Sequence, residues 1–168
     1  MLGHEIELVR AELPLLDAAI EGDEALARML GHPVAPGWAT FTEALPQVRG
    51  QVAGWPDGAR WGPRLFLAGE PPELVGWGGF KGPPREGVVE LGYEIAASHR
   101  GRGLATAAAR AMAAEAFADP AVETVVAHTL PERNASNRVL ERVGFKFDRE
   151  SSEGDSVVWR FALGRPGP

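Results

Sequence analysis

The stretch Ser98-His99-Arg100-Gly101-Arg102-Gly103-Leu104-Ala105-Thr106 lies between two runs of opposite character. Before it, "VVELGYEIAA" (88–97) alternates like a strand; after it, "AAARAMAAEAFAD" (107–119) is rich in good helix formers. Two glycines and two arginines are concentrated where strand gives way to helix. The first N–H groups of a helix have no partner within it, and its dipole favours an anion there. Glycines permit the positive φ and close approach that cradling a phosphate requires, and arginines add charge-assisted contacts. A strand-to-helix turn with solvated arginines satisfies the same pattern, so the turn alone leaves both readings open.

Outward from this junction the chain reads as one domain, 1–168. Its 168 residues are 45% hydrophobic and 24% charged, which suits a soluble globular fold. The formal net charge of −6 disfavours general attraction to nucleic acid or anionic membranes, so an anionic ligand needs a local basic site. There is no cysteine, which removes disulfides, thiolate metal sites and acyl-cysteine intermediates. His4, His32, His99 and His128 show no ligand spacing along the chain, so no metal is expected. The N-terminal stretch "MLGHEIELVRAEL" carries charge throughout and no apolar run approaches membrane length, which reads as cytoplasmic.

"EIELVR" alternates like a first strand, and "PLLDAAIEGDEALARMLG" is helical around a break at Gly22-Asp23. Residues 31–64 read as irregular, with Trp38, Trp55 and Trp61 either fastening a loop to the core or walling a substrate pocket. "RLFLAG", "LVGWGGF" and "VVELGYEIA" are joined by short turns and predict an antiparallel meander. Beyond the long helix come a strand "ETVVAHTL", a short helix "NASNRVLERVG", a hairpin "FKFDRE"/"SVVWRFAL", and a tail "GRPGP" expected to fray.

A nucleotide P-loop needs Gly-Lys-Ser/Thr, which is missing at the junction, and a dinucleotide fingerprint needs a third glycine where Thr106 stands. A third pattern fits: Arg100 to Ala105 reads R-x-x-G-x-A, which resembles the acyl-CoA pyrophosphate loop of the GNAT superfamily of N-acetyltransferases. "HTLPERNASNRVLERVGF" (128–145) is similar to that superfamily's N-x-A-S-x-R-V-L-x-x-x-G-F segment. "VVELGYEIAASHRGRGLAT" resembles the branch containing the ribosomal-protein N-terminal acetyltransferases.

The resemblance implies an α+β fold with a mixed, mainly antiparallel central sheet, splayed parallel strands and flanking helices. It implies N-terminal helices and a variable acceptor-side region over 1–63 and an acyl-CoA-binding core over 64–163. Acetyl-CoA is the implied co-substrate, a primary amine of a small molecule or protein N-terminus the acceptor, and a homodimer a candidate assembly. Pantetheine would lie along Ile95 and Ala97, and pyrophosphate against Arg100, Gly101, Arg102, Gly103, Leu104, Ala105 and Thr106. Asn134 and Ser136 would meet CoA from the short helix, though both residue types also cap helices.

Two departures from the family pattern stand out. Arg133 occupies the usual asparagine position, with Asn134 directly before Ala135, and Leu140 stands where many members carry an acidic tyrosine; the chain's one tyrosine is Tyr93. Ser136 is the nearest aligned hydroxyl for the leaving thiolate. Glu90 and Glu94 share one strand face, and either could take the amine's proton directly or through water, with Glu90 favoured. A CoA-binding sensor without catalysis, or a module recognising a phosphorylated partner, is the alternative.

Overall fold

The computed structural model describes residues 5–167, so His4 lies outside the described residues. The elements run β1 (Ile6–Arg10), α1 (Leu13–Glu21), α2 (Asp23–Leu30), α3 (Leu45–Gly54), β2 (Pro63–Ala68), β3 (Glu73–Phe80) and β4 (Val88–Ile95). Then come α4 (Leu104–Phe117), β5 (Thr124–Thr129), α5 (Ala135–Val143), β6 (Lys146–Glu153) and β7 (Ser156–Gly164). No helix among them is long and apolar enough to cross a membrane.

The seven strands form one sheet in the order β1-β2-β3-β4-β5-β7-β6. Every neighbouring pair is antiparallel except β4 and β5, which are joined by the crossover helix α4 and run parallel. Helices cover both faces. All six residues of β2 are buried, and they alternate between two cores: Leu65 and Leu67 on one face, Phe66 and Ala68 on the other. The first core holds Leu16, Leu26, Trp38 and Leu45 from the α1–α3 side. The second holds Leu91, Met112, Leu140, Phe145 and Phe161 on the α4–α5 side. Each fully buried side chain of this size contributes roughly 1.5–3 kcal/mol.

Local chemistry sets the helix ends. Gly22, at φ 144°, separates α1 from α2 as the Gly22-Asp23 break predicts. Asn134 and Asn137 form a reciprocal capping box at the start of α5, and Gly144 closes it in the left-handed region.

Two expectations are corrected. The region 31–64 is not irregular throughout, because Leu45–Gly54 forms α3. Its glycines mask the helical pattern, but Pro46 suits the first turn and Leu45 and Val52 are buried. An Arg49–Asp17 ion pair at 2.8 Å ties it to α1. The start of the tail is also better held than its composition suggests: Gly164 ends β7, and the Arg165 guanidinium donates to the carbonyls of Phe117, Asp119 and Val122.

One buried charge spans the molecule. Arg64 on β2 is completely buried and donates to the carbonyls of Ala59, Arg60, Gly62 and Pro63, and at 3.2 Å to Glu115 on α4. It joins the turn before β2 to the helix on the far face.

Candidate active site

The parallel pair β4–β5 is short. Only Val88, Val89 and Glu90 pair with Thr124, Val125 and Val126, while β4 continues to Ile95 and β5 to Thr129. Beyond Glu90 the two strands part, and the β5-facing edge of β4 has no ladder partner among the described residues. At the end of β4 the chain makes a short turn over Ala97–His99 and enters α4 through Gly101 and Gly103, at φ 78° and 77°. Those left-handed angles are why glycines stand there. The first α4 backbone bond runs from Ala107 N–H to Gly103 C=O, so Leu104, Ala105 and Thr106 present the free amides of a helix start.

Side chains brace this loop. His99 Nε2 lies 2.9 Å from Glu73 Oε1 on β3, and Ser98 Oγ lies 2.8 Å from His99 Nδ1. Arg100 Nε donates to the Ile95 carbonyl at 3.0 Å, and Arg102 to the Ser98 carbonyl at 3.3 Å. Arg100 therefore satisfies the carbonyl at the end of β4 that the parting of the strands would otherwise leave unpaired.

A cleft of about 820 Å³ opens where the strands separate, and it reaches both sheet faces. On the α4–α5 side it is lined by Tyr93, Ser136 and Leu140; on the other by Trp55, Trp77, Glu94 and His128. Of the tryptophans in question, Trp38 and Trp61 are buried anchors and Trp55 is a wall of the cleft, so both readings of that region hold.

On the α4–α5 side the Tyr93 hydroxyl lies 3.2 Å from Ser136 Oγ. Burial pushes the Tyr93 phenol above its ordinary value, and the Ser136 hydrogen bond offsets only part of that. The group is a neutral O–H at physiological pH. Asn134, with its side chain committed to the capping box, fixes the start of the helix that carries Ser136. Asn137 is fully buried and donates to Thr129 Oγ1 at 2.9 Å, locking α5 to β5.

Glu90 and Glu94 do share the opposite face, but their surroundings differ. Glu94 accepts from Trp77 Nε1 at 2.9 Å, from the Thr40 N–H at 3.0 Å and from the Thr40 hydroxyl. It clasps the segment before α3 to the sheet. Glu90 Oε2 meets two donors, Lys81 Nζ at 2.8 Å and His128 Nδ1 at 2.9 Å. Burial raises the Glu90 carboxyl, but the hydrogen bonds and charges of Lys81 and His128 outweigh it and hold the group below the usual carboxylate range.

Glu90, His128 and Glu153 place ligand-type atoms within 4.8 Å of one another, a cluster that spacing along the chain does not reveal because it is assembled from β4, β5 and β6. The Lys81 ammonium already supplies a cation at the same Glu90 oxygen. The geometry is that of an ion-pair network.

Of the residues singled out from the sequence, Glu94 and Ser136 line this cleft, Glu90 lies behind His128, and the glycine–arginine loop stands off it, with Arg102 and Leu104 bordering a separate hollow. The sequence reading missed Lys81, Thr40 and the position of His128, and it left Tyr93 unpartnered. A histidine two residues beyond Val126, on the strand facing Glu90, is the one signal that could have found the Glu90–His128 pair.

Comparison with known proteins bears on this geometry. Residues 7–146 match the family described as the Acetyltransferase (GNAT) domain. The chain is 29% identical to the uncharacterized N-acetyltransferase YjdG of Bacillus subtilis strain 168, over 89% of this chain and 91% of that protein. In fold it resembles the ribosomal-protein-S5-alanine acetyltransferase of Vibrio fischeri, with TM-score 0.67, 13% identity, and 95% and 92% of the two chains covered. It also resembles Mycobacterium smegmatis RimJ, solved in complex with CoA-disulfide, with TM-score 0.66, 21% identity, and 95% and 81% covered.

Proposed function

This chain belongs to the GNAT family of acetyltransferases and is an acyl-CoA-dependent acetyltransferase, and we propose that it moves an acetyl group from acetyl-CoA to a primary amine by direct attack. The observation that carries this reading is the parting of β4 and β5 beside a glycine-rich helix start. An extended pantetheine chain suits the unpaired edge of β4 leading to Ile95 and Ala97, where its amides would complete the ladder and take the Ile95 carbonyl over from Arg100. The pyrophosphate suits the N–H groups from Arg100 to Thr106, with Arg100 and Arg102 supplying positive charge in a chain of net charge −6.

The acceptor enters on the α1–α3 side. Its nitrogen lone pair attacks the thioester carbon, the tetrahedral adduct collapses, the C–S bond breaks and the CoA thiolate leaves. The Tyr93–Ser136 pair supplies a proton toward that sulfur, and Ser136 stands at the helix position nearest to it. Leu140 need not be a tyrosine, because a phenol reaches the same neighbourhood from β4. On the opposite side the Glu90–His128 pair receives the proton the amine loses. With no cysteine in the chain, direct transfer needs no acyl-thioester on the enzyme.

The acceptor is a small-molecule amine or a protein N-terminus. The S5-alanine acetyltransferase among its structural neighbours supports an amine as the class. The test is release of CoA thiol from acetyl-CoA over a panel of primary amines that includes N-terminal peptides and aminoglycosides. Amine-dependent thiol release with a matching gain of one acetyl group on the amine is expected. Acetyl-CoA binding with no thiol release for any amine would leave a sensor instead.

A further inference from the structure

The geometry points to His128 as the group that takes the proton from the acceptor amine, with Glu90 as its positioning residue. This rests on the acetyl-transfer reading above and names the acceptor-side base. An ionised carboxylate can only accept hydrogen bonds, so the 2.9 Å contact between His128 Nδ1 and Glu90 Oε2 requires the proton on Nδ1. The Nε2 lone pair is then free, and among the described residues no hydrogen bond is made to it.

Position favours the imidazole over the carboxylate. Glu90 forms the last β4–β5 pair, with Val126; His128 stands two residues further along β5, where the strands have parted. His128 lines the cleft, whereas Glu90 is not among its lining residues. Glu90 is also loaded, with Lys81 and His128 both on one oxygen, so it gains little by accepting a further proton. An imidazole is the side chain best matched to accepting a proton near neutrality.

The charged groups around His128 fit the role. Glu90 faces it from β4 and Glu153 from β6, at 3.4 Å, and both stabilise the imidazolium that forms. Lys81 reaches Glu90 from beyond the end of β3. Arg160, the β7 residue in register with His128, is paired with Asp148 on β6 at 3.4 Å. Two carboxylates thus hold the ring in one orientation and one tautomer, as an aspartate does in a serine hydrolase triad. In the step itself the N–H bond of the attacking ammonium breaks, its pair stays on nitrogen to form the new C–N bond, and the proton passes to Nε2.

The test compares His128→Gln with Glu90→Gln in steady-state kinetics over pH, with melting temperature and acetyl-CoA calorimetry confirming that each variant folds and binds. His128→Gln is expected to lower kcat by about 100-fold or more at neutral pH and to lose the rise of rate with pH. Glu90→Gln is expected to cost roughly 10-fold, since it impairs orientation only, and to keep the rise of rate with pH that His128→Gln loses. A larger loss for Glu90→Gln, with the pH rise intact in His128→Gln, would overturn the assignment and make Glu90 the base. Independently of turnover, 15N NMR of the histidine ring is expected to find the Nδ1-protonated tautomer at His128, and the Nε2-protonated form would also overturn it. A wild-type enzyme that binds acetyl-CoA but acetylates no amine would instead overturn the acetyl-transfer reading itself.

Discussion

The two halves of the proposed site are made of different materials. Toward α4, the turn from Ala97 to Thr106 presents mostly main chain: left-handed glycines and the free amides of a helix start. Toward α1–α3, the wall is made of side chains that meet from distant parts of the sequence. Thr40 clasps Glu94 across 54 residues, and His128 meets Glu90 across 38. A main-chain site must be written in consecutive residues, because only neighbours in sequence can set its dihedral angles. A side-chain site can be assembled from anywhere the sheet brings together. One side therefore suits a ligand part common to a family, and the other can be redrawn for each acceptor.

The seam between the two sides offers the largest expected effect. Arg64 holds four carbonyls of the turn before β2 and Glu115 of α4, so Arg64→Ala leaves the Ala59 and Arg60 carbonyls without this donor and Glu115 without its ion-pair partner, while Gly62 and Pro63 keep the Phe80 and Ala11 N–H groups. Unfolding in urea is expected to report a loss of about 3–5 kcal/mol. A loss below ~1 kcal/mol would mean the halves are joined by apolar packing alone.

Gly103→Asp sharpens the main-chain side. It puts a side chain on a φ of 77° and a negative charge at the proposed pyrophosphate position. Acetyl-CoA affinity is expected to fall by ~2–4 kcal/mol, or roughly 30- to 1,000-fold, in calorimetry. A folded variant with unchanged affinity would remove the loop from the binding site.

The side-chain wall should respond in the opposite kinetic parameter. Glu94→Gln replaces an acceptor oxygen with a donor amide, so Trp77 Nε1 or the Thr40 N–H loses its partner. The expected result is a KM for the amine raised about 5- to 10-fold with acetyl-CoA affinity unchanged. Equal weakening of both substrates would break the separation between the two sides.

The smallest expected effect is a titration. Tyr93 is the chain's one tyrosine, so phenolate absorbance reports it alone. Its buried phenol is expected to ionise above the ordinary value of about 10, and Ser136→Ala should move it further up because that hydrogen bond favours the ionised form. The folded state holds this proton the more tightly. Its stabilising contribution is therefore complete below about pH 10 and is lost as pH rises through the folded value. A midpoint at or below that of a free tyrosine would mean the hydroxyl is not buried. Glu90 has the opposite sign: its depressed carboxyl stabilises the fold above about pH 4 and ceases to as pH falls through the folded value.

The same contrast explains what could be read in advance. Gly22, Gly101, Gly103, Asn134 and Gly144 act through their own backbone or within one helical turn, and their positions state their roles. The crossover to a parallel β4–β5 pair follows from the long helix between two strand patterns. α3 was hidden because its stability comes from packing on α1 rather than from propensity. Tyr93 and Ser136 lie 43 residues apart, and nothing in either neighbourhood announces the other. Arg165 looked like part of a loose tail because its carbonyl partners lie more than forty residues earlier.

If acetyl-CoA occupies the gap where β4 leaves β5, a crystal structure with bound CoA is expected to show pantetheine running along β4 between Leu91 and Ile95, its pyrophosphate on the amides of Arg100 to Thr106, and its sulfur directed toward Tyr93 and Ser136. CoA bound away from that gap, with β4 still uncovered, would contradict this placement.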